Sequence, residues 1–356
     1  MMLARLLSFA LKQNASDLHL SAGLAPMIRV HGDMKKIETS PLTAHDVEQM
    51  IFSSMNDAQQ QQLKQQWELD YAFSLTSQAR FRVNVFYQQH GLSAVFRVIP
   101  QHIPSLAQLN APAILQKLTE FSQGLVLVTG ATGSGKSTTL AAMLNEINLH
   151  RAKHIISIED PIEFVHQSQR SLIHQRELHQ HTHSFHHALR AALREDPDIL
   201  LVGEMRDLDT IRLALTAAET GHLVFATLHT NSASKSIDRI IDAFPADEQS
   251  MIRTMLAESL QAVVAQSLIK STQQGRIAAY EILINTPAVR NLIRENKIAQ
   301  LYSTLQTGQQ YGMMTLDQHL QQLLHEGKIT TDTAREIARQ PELFEPSTPT
   351  QTTVAN

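Results

Sequence analysis

One eight-residue string constrains the fold of this chain more than any other. Gly130-Ala131-Thr132-Gly133-Ser134-Gly135-Lys136-Ser137 satisfies G-x-x-x-x-G-K-[ST]. By chance, such a match arises on the order of once in a hundred chains of this size. Its context strengthens it: the apolar run 125–129 comes directly before, and Ser137-Thr138-Thr139-Leu140-Ala141-Ala142 opens a helical pattern directly after. Glycines let successive backbone N–H groups turn inward around a phosphate, and the helix N-terminus adds partial positive charge. Gly130, Ala131, Thr132, Gly133, Ser134, Gly135, Lys136, Ser137 and Thr138 are the expected cradle. Within it, Lys136 reaches the β- and γ-phosphates and the Ser137 hydroxyl ligates Mg²⁺. The expected ligand is a nucleoside triphosphate, ATP with Mg²⁺.

The flanking pattern sets the architecture. The runs 125–129, 155–159, 199–202 and 223–228 are continuously apolar, as strands buried on both faces of a mostly parallel sheet require. Helical patterns at 137–148, 184–195 and 207–220 alternate with them, the last stopped by Gly221, so this part reads as a doubly wound α/β domain. Beyond 228 the chain reads as mainly helical, notably over 247–270, with one more strand near 277–284. Residues 1–98 mix short strands with helices. The segments 16–20 and 27–33 form an expected hairpin pair, and 80–86 and 92–99 alternate like half-buried strands. The Gln-rich stretch 59–66 reads as a solvated helix face. Pro100, Pro104 and Pro112 mark a linker at 99–113, an ATPase domain follows at 114–340, and the Pro- and Thr-rich 341–356 reads as a disordered tail.

In an open α/β sheet, ligands bind beyond the carboxyl ends of the strands. Three strand ends other than that of the P-loop carry polar groups: Glu159-Asp160-Pro161-Ile162-Glu163, Gly203-Glu204-Met205-Arg206-Asp207 and His229-Thr230-Asn231. Hydrolysis needs one group to orient water and others to hold Mg²⁺. Glu204, just after an apolar strand, is the candidate Walker B acid and Mg²⁺ ligand. Glu163 or Glu204 could polarise the water, and His229 could sense the γ-phosphate.

Other chemistries are excluded or disfavoured. The chain has no cysteine, so disulfides, thiolate metal sites and Cys nucleophiles are ruled out. The net charge of −4 argues against a dedicated nucleic-acid binder. His174, His179, His181, His183, His186 and His187 cluster in sequence, and His183 and His187 have an i, i+4 spacing, but no third or fourth ligand stands at a suitable spacing, so the expectation is surface or hydrogen-bonded imidazoles rather than a metal site. No apolar run approaches the roughly 20 residues of a membrane span. Leu3, Leu6, Leu7, Ala10 and Leu11 recur at helical spacing, split by Arg5 and ended by Lys12. The opening therefore reads as an amphipathic helix rather than a signal peptide, and the protein as cytosolic.

Taken in order, the strings 130–139, Ile158-Glu159-Asp160-Pro161-Ile162-Glu163-Phe164-Val165-His166, Leu193-Arg194-Glu195-Asp196-Pro197-Asp198, 203–207 and 221–230 resemble the Walker A, Asp box, Walker B and His box of the secretion ATPase superfamily, in its type IV pilus retraction branch. The similarity runs from Ala15-Ser16-Asp17-Leu18-His19-Leu20 to about residue 340. Ala131 stands where that family usually has Pro. The resemblance implies a PAS-like α+β N-terminal domain followed by a RecA-like P-loop ATPase domain, assembled as a homo-hexamer. It implies Glu163 as catalytic base, Glu204 as Walker B acid, and Arg82 and Arg97 as arginine fingers. Ala288-Val289-Arg290-Asn291-Leu292-Ile293-Arg294-Glu295 resembles the retraction branch's motif, with Val289 in place of Ile. That points to retraction rather than to pilus extension or type II secretion assembly, whose ATPases are longer and carry a four-Cys zinc module. The implied partners are an inner-membrane pilus platform protein and a paralogous retraction ATPase, with the ring peripheral at the cytoplasmic membrane.

Overall fold

A computed structural model describes residues 2–30, 32–75, 79–99, 102–273 and 275–345. The chain divides into two compact units. The first runs to Ile103 and takes in Asp160–His166; the second comprises Pro104–Glu159 and what is described from Gln167 onward.

The first unit contains α1 (Met2–Lys12), β1 (Asp17–Ser21), β2 (Met27–Val30), β3 (Asp33–Lys36), α2 (Ala44–Phe52), α3 (Asp57–Gln66), β4 (Glu68–Leu75), β5 (Ala79–Gln88) and β6 (Gly91–Ile99). The strands form one antiparallel sheet in the order β3-β2-β1-β6-β5-β4. Leu3, Leu6, Leu7 and Ala10 of α1 are buried, the i, i+3, i+4, i+7 stripe that an amphipathic helix lays on a core. They pack with Leu18, Leu20, Val47, Ile51, Phe81 and Phe96. The Gln-rich α3 holds its start with a capping box between Asn56 and Gln59 and buries only Leu63. Trp67 ends the helix in the left-handed conformation and is 70% exposed.

The second unit contains α4 (Ile114–Leu118), β7 (Gly124–Thr129), α5 (Lys136–His150), β8 (His154–Glu159), β9 (Leu172–Glu177), α6 (Phe185–Ala192), β10 (Ile199–Val202), α7 (Leu208–Glu219), β11 (Leu223–Leu228), α8 (Ala233–Asp242), α9 (Gln249–Ser259), β12 (Leu260–Lys270), β13 (Arg276–Ile284), α10 (Pro287–Arg294), α11 (Leu301–Thr307), α12 (Leu316–His325) and α13 (Thr331–Ile337). Its sheet runs β13-β12-β7-β11-β10-β8-β9, parallel throughout except for β13. Every residue of β7, β10 and β11 is buried, as strands covered on both faces must be. The sheet is covered by two clusters, one built on α6 to α9 and one on α4 and α5.

Three expectations are corrected. Residues 260–270 form strand β12, not the continuation of a helix from 247. Leu260, Ala262, Val263, Val264 and Ala265 are a buried apolar run that helix and strand can both accommodate, and the open edge of β7 selects the strand. Strand β9 was not expected at all, because Leu-Ile-His-Gln-Arg-Glu is polar, as suits a sheet edge. Finally, Pro341–Phe344 form a 3-10 turn with Phe344 buried against Leu320, Leu323 and Ile329. Residues 341–345 are thus folded, and the remainder of the expected tail, 346–356, lies outside the described residues.

Candidate nucleotide site

The P-loop joins β7 to α5 and bends where glycine permits it. Gly130, Gly133 and Gly135 have φ of 145°, 80° and 89°, in the left-handed half of the map that glycine enters at little cost. Gly130 is also hemmed in: a Cβ there would lie 2.3 Å from the Gln266 carbonyl oxygen and 2.5 Å from Ser134 Oγ. Lys136 is 9% exposed, and its Nζ donates to the carbonyls of Gly130 at 2.8 Å and Ala131 at 3.1 Å. Ser134 Oγ is buried without a hydrogen-bond partner. A concave loop with a buried ammonium at its centre and an orphaned hydroxyl in its wall fits a polyphosphate. Ser137 and Thr138 lie in the first turn of α5, directly after the loop.

Because β7, β11, β10 and β8 are parallel neighbours, their carboxyl ends share the rim that carries this loop. Glu204 and His229, from the ends of β10 and β11, meet there: His229 Nε2 lies 2.9 Å from Glu204 Oε1, and Arg206 Nη2 lies 2.7 Å from Oε2. Burial acts to raise the Glu204 carboxyl, but Arg206 and His229 outweigh it and hold the group below its ordinary value. It is therefore an anion near neutral pH, the form in which a carboxylate can hold a divalent cation. Gly203, just before Glu204, packs closely against the end of β8. Its N–H donates to the Ile158 carbonyl at 2.7 Å, and a Cβ would sit 2.9 Å from that oxygen. At the end of β8, Glu159 is engaged locally by Ser157 Oγ at 2.6 Å and Gln175 Nε2 at 3.0 Å.

Glu163, Arg82 and Arg97 belong to the first unit. Arg82 on β5 donates through Nη2 to Asp70 Oδ2 at 2.7 Å, and its Nη1 lies 3.7 Å from Glu163 Oε1. Arg97 on β6 donates through Nε to the buried Asp17 at 2.8 Å. The two arginines are direct cross-strand partners. The candidate base and one candidate finger are therefore brought together, and both fingers have acid partners that sequence spacing did not reveal.

The His-rich segment shows local pairing. His174 Nδ1 lies 2.9 Å from His154 Nε2, and His181 Nδ1 accepts the Glu177 N–H at 2.9 Å. Among the described residues, no three His, Asp or Glu side chains gather in a way that could hold a metal ion. In the 288–295 motif, Val289 and Ile293 of α10 are core residues, while Arg290 and Arg294 lie 3.8 and 2.5 Å from Glu258 on α9.

One further residue escaped the sequence entirely. Gln266 of β12, 4% exposed, donates from Nε2 to the Ser134 carbonyl at 2.7 Å and accepts from Thr139 Oγ1 at 2.8 Å. With 247–270 read as helical, no signal placed it beside the loop.

Comparison with known proteins shows the family. The family model described as type II/IV secretion system protein matches residues 1–343. The chain belongs to that family. A relative in Pseudomonas aeruginosa, the type IV pilus retraction ATPase PilT, is 56% identical over 342 residues, covering 96% of this chain and 99% of the relative. A twitching motility protein of Neisseria gonorrhoeae is 60% identical over 318 residues, covering 89% of this chain and 85% of its own. Among solved structures of the family, the pilus retraction motor PilT with bound ADP superposes with a TM-score of 0.88 at 44% identity, covering 96% of this chain and 98% of that one. The mixed α/β architecture, an N-terminal domain followed by a RecA-like ATPase domain, is that of this neighbour.

Proposed function

We propose that this chain is a motor ATPase that hydrolyses ATP to drive type IV pilus retraction and twitching motility. The observation that carries this is the end-to-end likeness to a pilus retraction ATPase, in a chain whose P-loop has a buried Lys136 and a glycine hemmed in at 130. Residues 1–98 serve as the PAS-like domain, 99–113 as linker and 114–340 as the ATPase domain.

Each side chain has a physical task. The loop amides and Lys136 bind the triphosphate, and Ser137 with Glu204 would hold Mg²⁺, which would neutralise charge on the phosphates. Glu163 accepts a proton from the attacking water, His229 reports on the γ-phosphate through its contact with Glu204, and Arg82 and Arg97 stabilise charge on the transferring group. The motor works as a homo-hexamer at the cytoplasmic face of the inner membrane, against a platform protein and beside a paralogous retraction ATPase, without nucleic acid. Among the described residues, no helix is long and apolar enough to cross a membrane.

The test counts surface pili by electron microscopy on cells lacking the gene, complemented with wild type or Glu204→Gln. An excess of pili corrected by wild type alone supports retraction. Bald cells would make the chain an extension motor and overturn the proposal.

A further inference from the structure

We infer that Gln266 is a positioning residue that fixes the P-loop for nucleotide, an inference that rests on the ATPase function proposed above. The backbone sets the placement. Strand β12 runs parallel to β7 with Ala265 opposite Thr129, so the next residue on each strand, Gln266 and Gly130, leave the ladder side by side. They approach so closely that the Gln266 carbonyl excludes any Cβ at Gly130. The Gln266 amide then crosses beneath the loop. The Ser134 carbonyl can only accept, which assigns Nε2 to it, and Oε1 is left facing the Thr139 hydroxyl, which can donate. The amide also fills the space that Gly135 leaves open, where a Cβ would lie 2.8 Å from Nε2.

One side chain therefore ties the loop two residues before Lys136 to the helix three residues after it. Ser134, Thr139 and Gln266 are all nearly inaccessible, at 5%, 1% and 4% exposure. Water has no easy access to replace either bond, so removing the amide leaves the buried Ser134 carbonyl unsatisfied and the Thr139 hydroxyl with only the Tyr280 hydroxyl as a polar neighbour. The bracketed segment contains Lys136 and Ser137, the residues asked to meet the phosphates and Mg²⁺. Freeing both its anchors lets those groups drift from the geometry that binding needs.

The experiment measures binding of a fluorescent ADP analogue with Mg²⁺ to full-length wild type, Gln266→Met, Gln266→Glu and Thr139→Val. It is run below every variant's melting temperature, with the melting temperature of nucleotide-free protein recorded alongside. Gln266→Met keeps the volume and loses both bonds. Gln266→Glu keeps an acceptor for Thr139 but turns a carboxylate oxygen on the Ser134 carbonyl. Thr139→Val removes one anchor while leaving Gln266 in place. The expected result is affinity at least ten-fold weaker in both Gln266 variants, with Thr139→Val intermediate. Affinity within two-fold of wild type in the folded Gln266 variants overturns the inference, whether or not the melting temperature falls, because a merely structural role lowers stability alone. If Gln266→Met does not fold, Gln266→Glu and Thr139→Val decide by the same criterion. Failure of wild type to bind the analogue would instead refute the ATPase function.

Discussion

Arg82 on β5 and Arg97 on β6 lie directly opposite each other in the antiparallel ladder, each held by an acid from a different strand. Like charges in that position repel, and Asp70 and Asp17 offset the repulsion. Two cations are thus displayed side by side on one face of a sheet without relying on each other.

If Arg82 completes the site of a neighbouring subunit, chains carrying Lys136→Ala and chains carrying Arg82→Ala, each inactive alone, recover part of the ATPase activity when mixed. Phosphate release from mixtures across a range of ratios checks this. No recovery at any ratio confines Arg82 to its own subunit or to a structural part.

Substitutions in the P-loop and at the two carboxylates should separate binding from turnover. Lys136→Ala should abolish binding of a fluorescent nucleotide. Glu204→Gln and Glu163→Gln should still bind ATP but release phosphate roughly a hundred-fold or more slowly, the order of loss seen when one fixed charge-stabilising group is removed. Unchanged turnover in both carboxylate variants would dismiss the catalytic assignment.

Gly203 tests the geometry behind that pair. An alanine there places its Cβ against the Ile158 carbonyl, and relief of such a contact costs about 1–3 kcal/mol. Gly203→Ala is expected to melt lower than wild type and to hydrolyse ATP more slowly, since the strand end that carries Glu204 must shift. A variant with both properties intact would show that the backbone yields there freely.

Stability should fall as the solution is made mildly acidic. His319 on α12 is 3% exposed, and its Nδ1 accepts the Tyr280 N–H at 3.0 Å. Burial pushes its pKa down from 6.5 to about 4, with Lys328 lowering it further against Glu326. Between those values the unfolded chain takes up the proton and the folded chain does not, so stability is lost as pH falls from 6.5 towards 4, by about 3 kcal/mol for this group at the lower end. His166, also pushed by burial to about 4, acts in the same direction. Urea melts across this range should show a shallower pH dependence for His319→Gln. An unchanged slope would exclude His319 as a contributor.

The catalytic half of the fold was legible because its signals are local. Glycine spacing gave the P-loop, continuous apolar runs gave β7, β8, β10 and β11, and the residues just beyond them gave Glu204 and His229. What stayed hidden depends on register between distant strands. Asp17 is 80 residues from Arg97, and Gln266 is 132 from Ser134, and no periodicity within one element encodes such a meeting. Strand β12 was misread for a related reason: its apolar run is helix-compatible until the edge of β7 is there to pair with it. Arg82 and Arg97 came from family resemblance alone, which supplied the residues but not their acidic partners.

The Lys136 ammonium, finally, does not wait in open solvent. It already rests on the carbonyls of Gly130 and Ala131, so an arriving phosphate competes with them for its three N–H donors. The measured affinity is then a difference between two well-made arrangements of the same charge, and a change that weakens the carbonyl contacts would tighten nucleotide binding without touching the nucleotide.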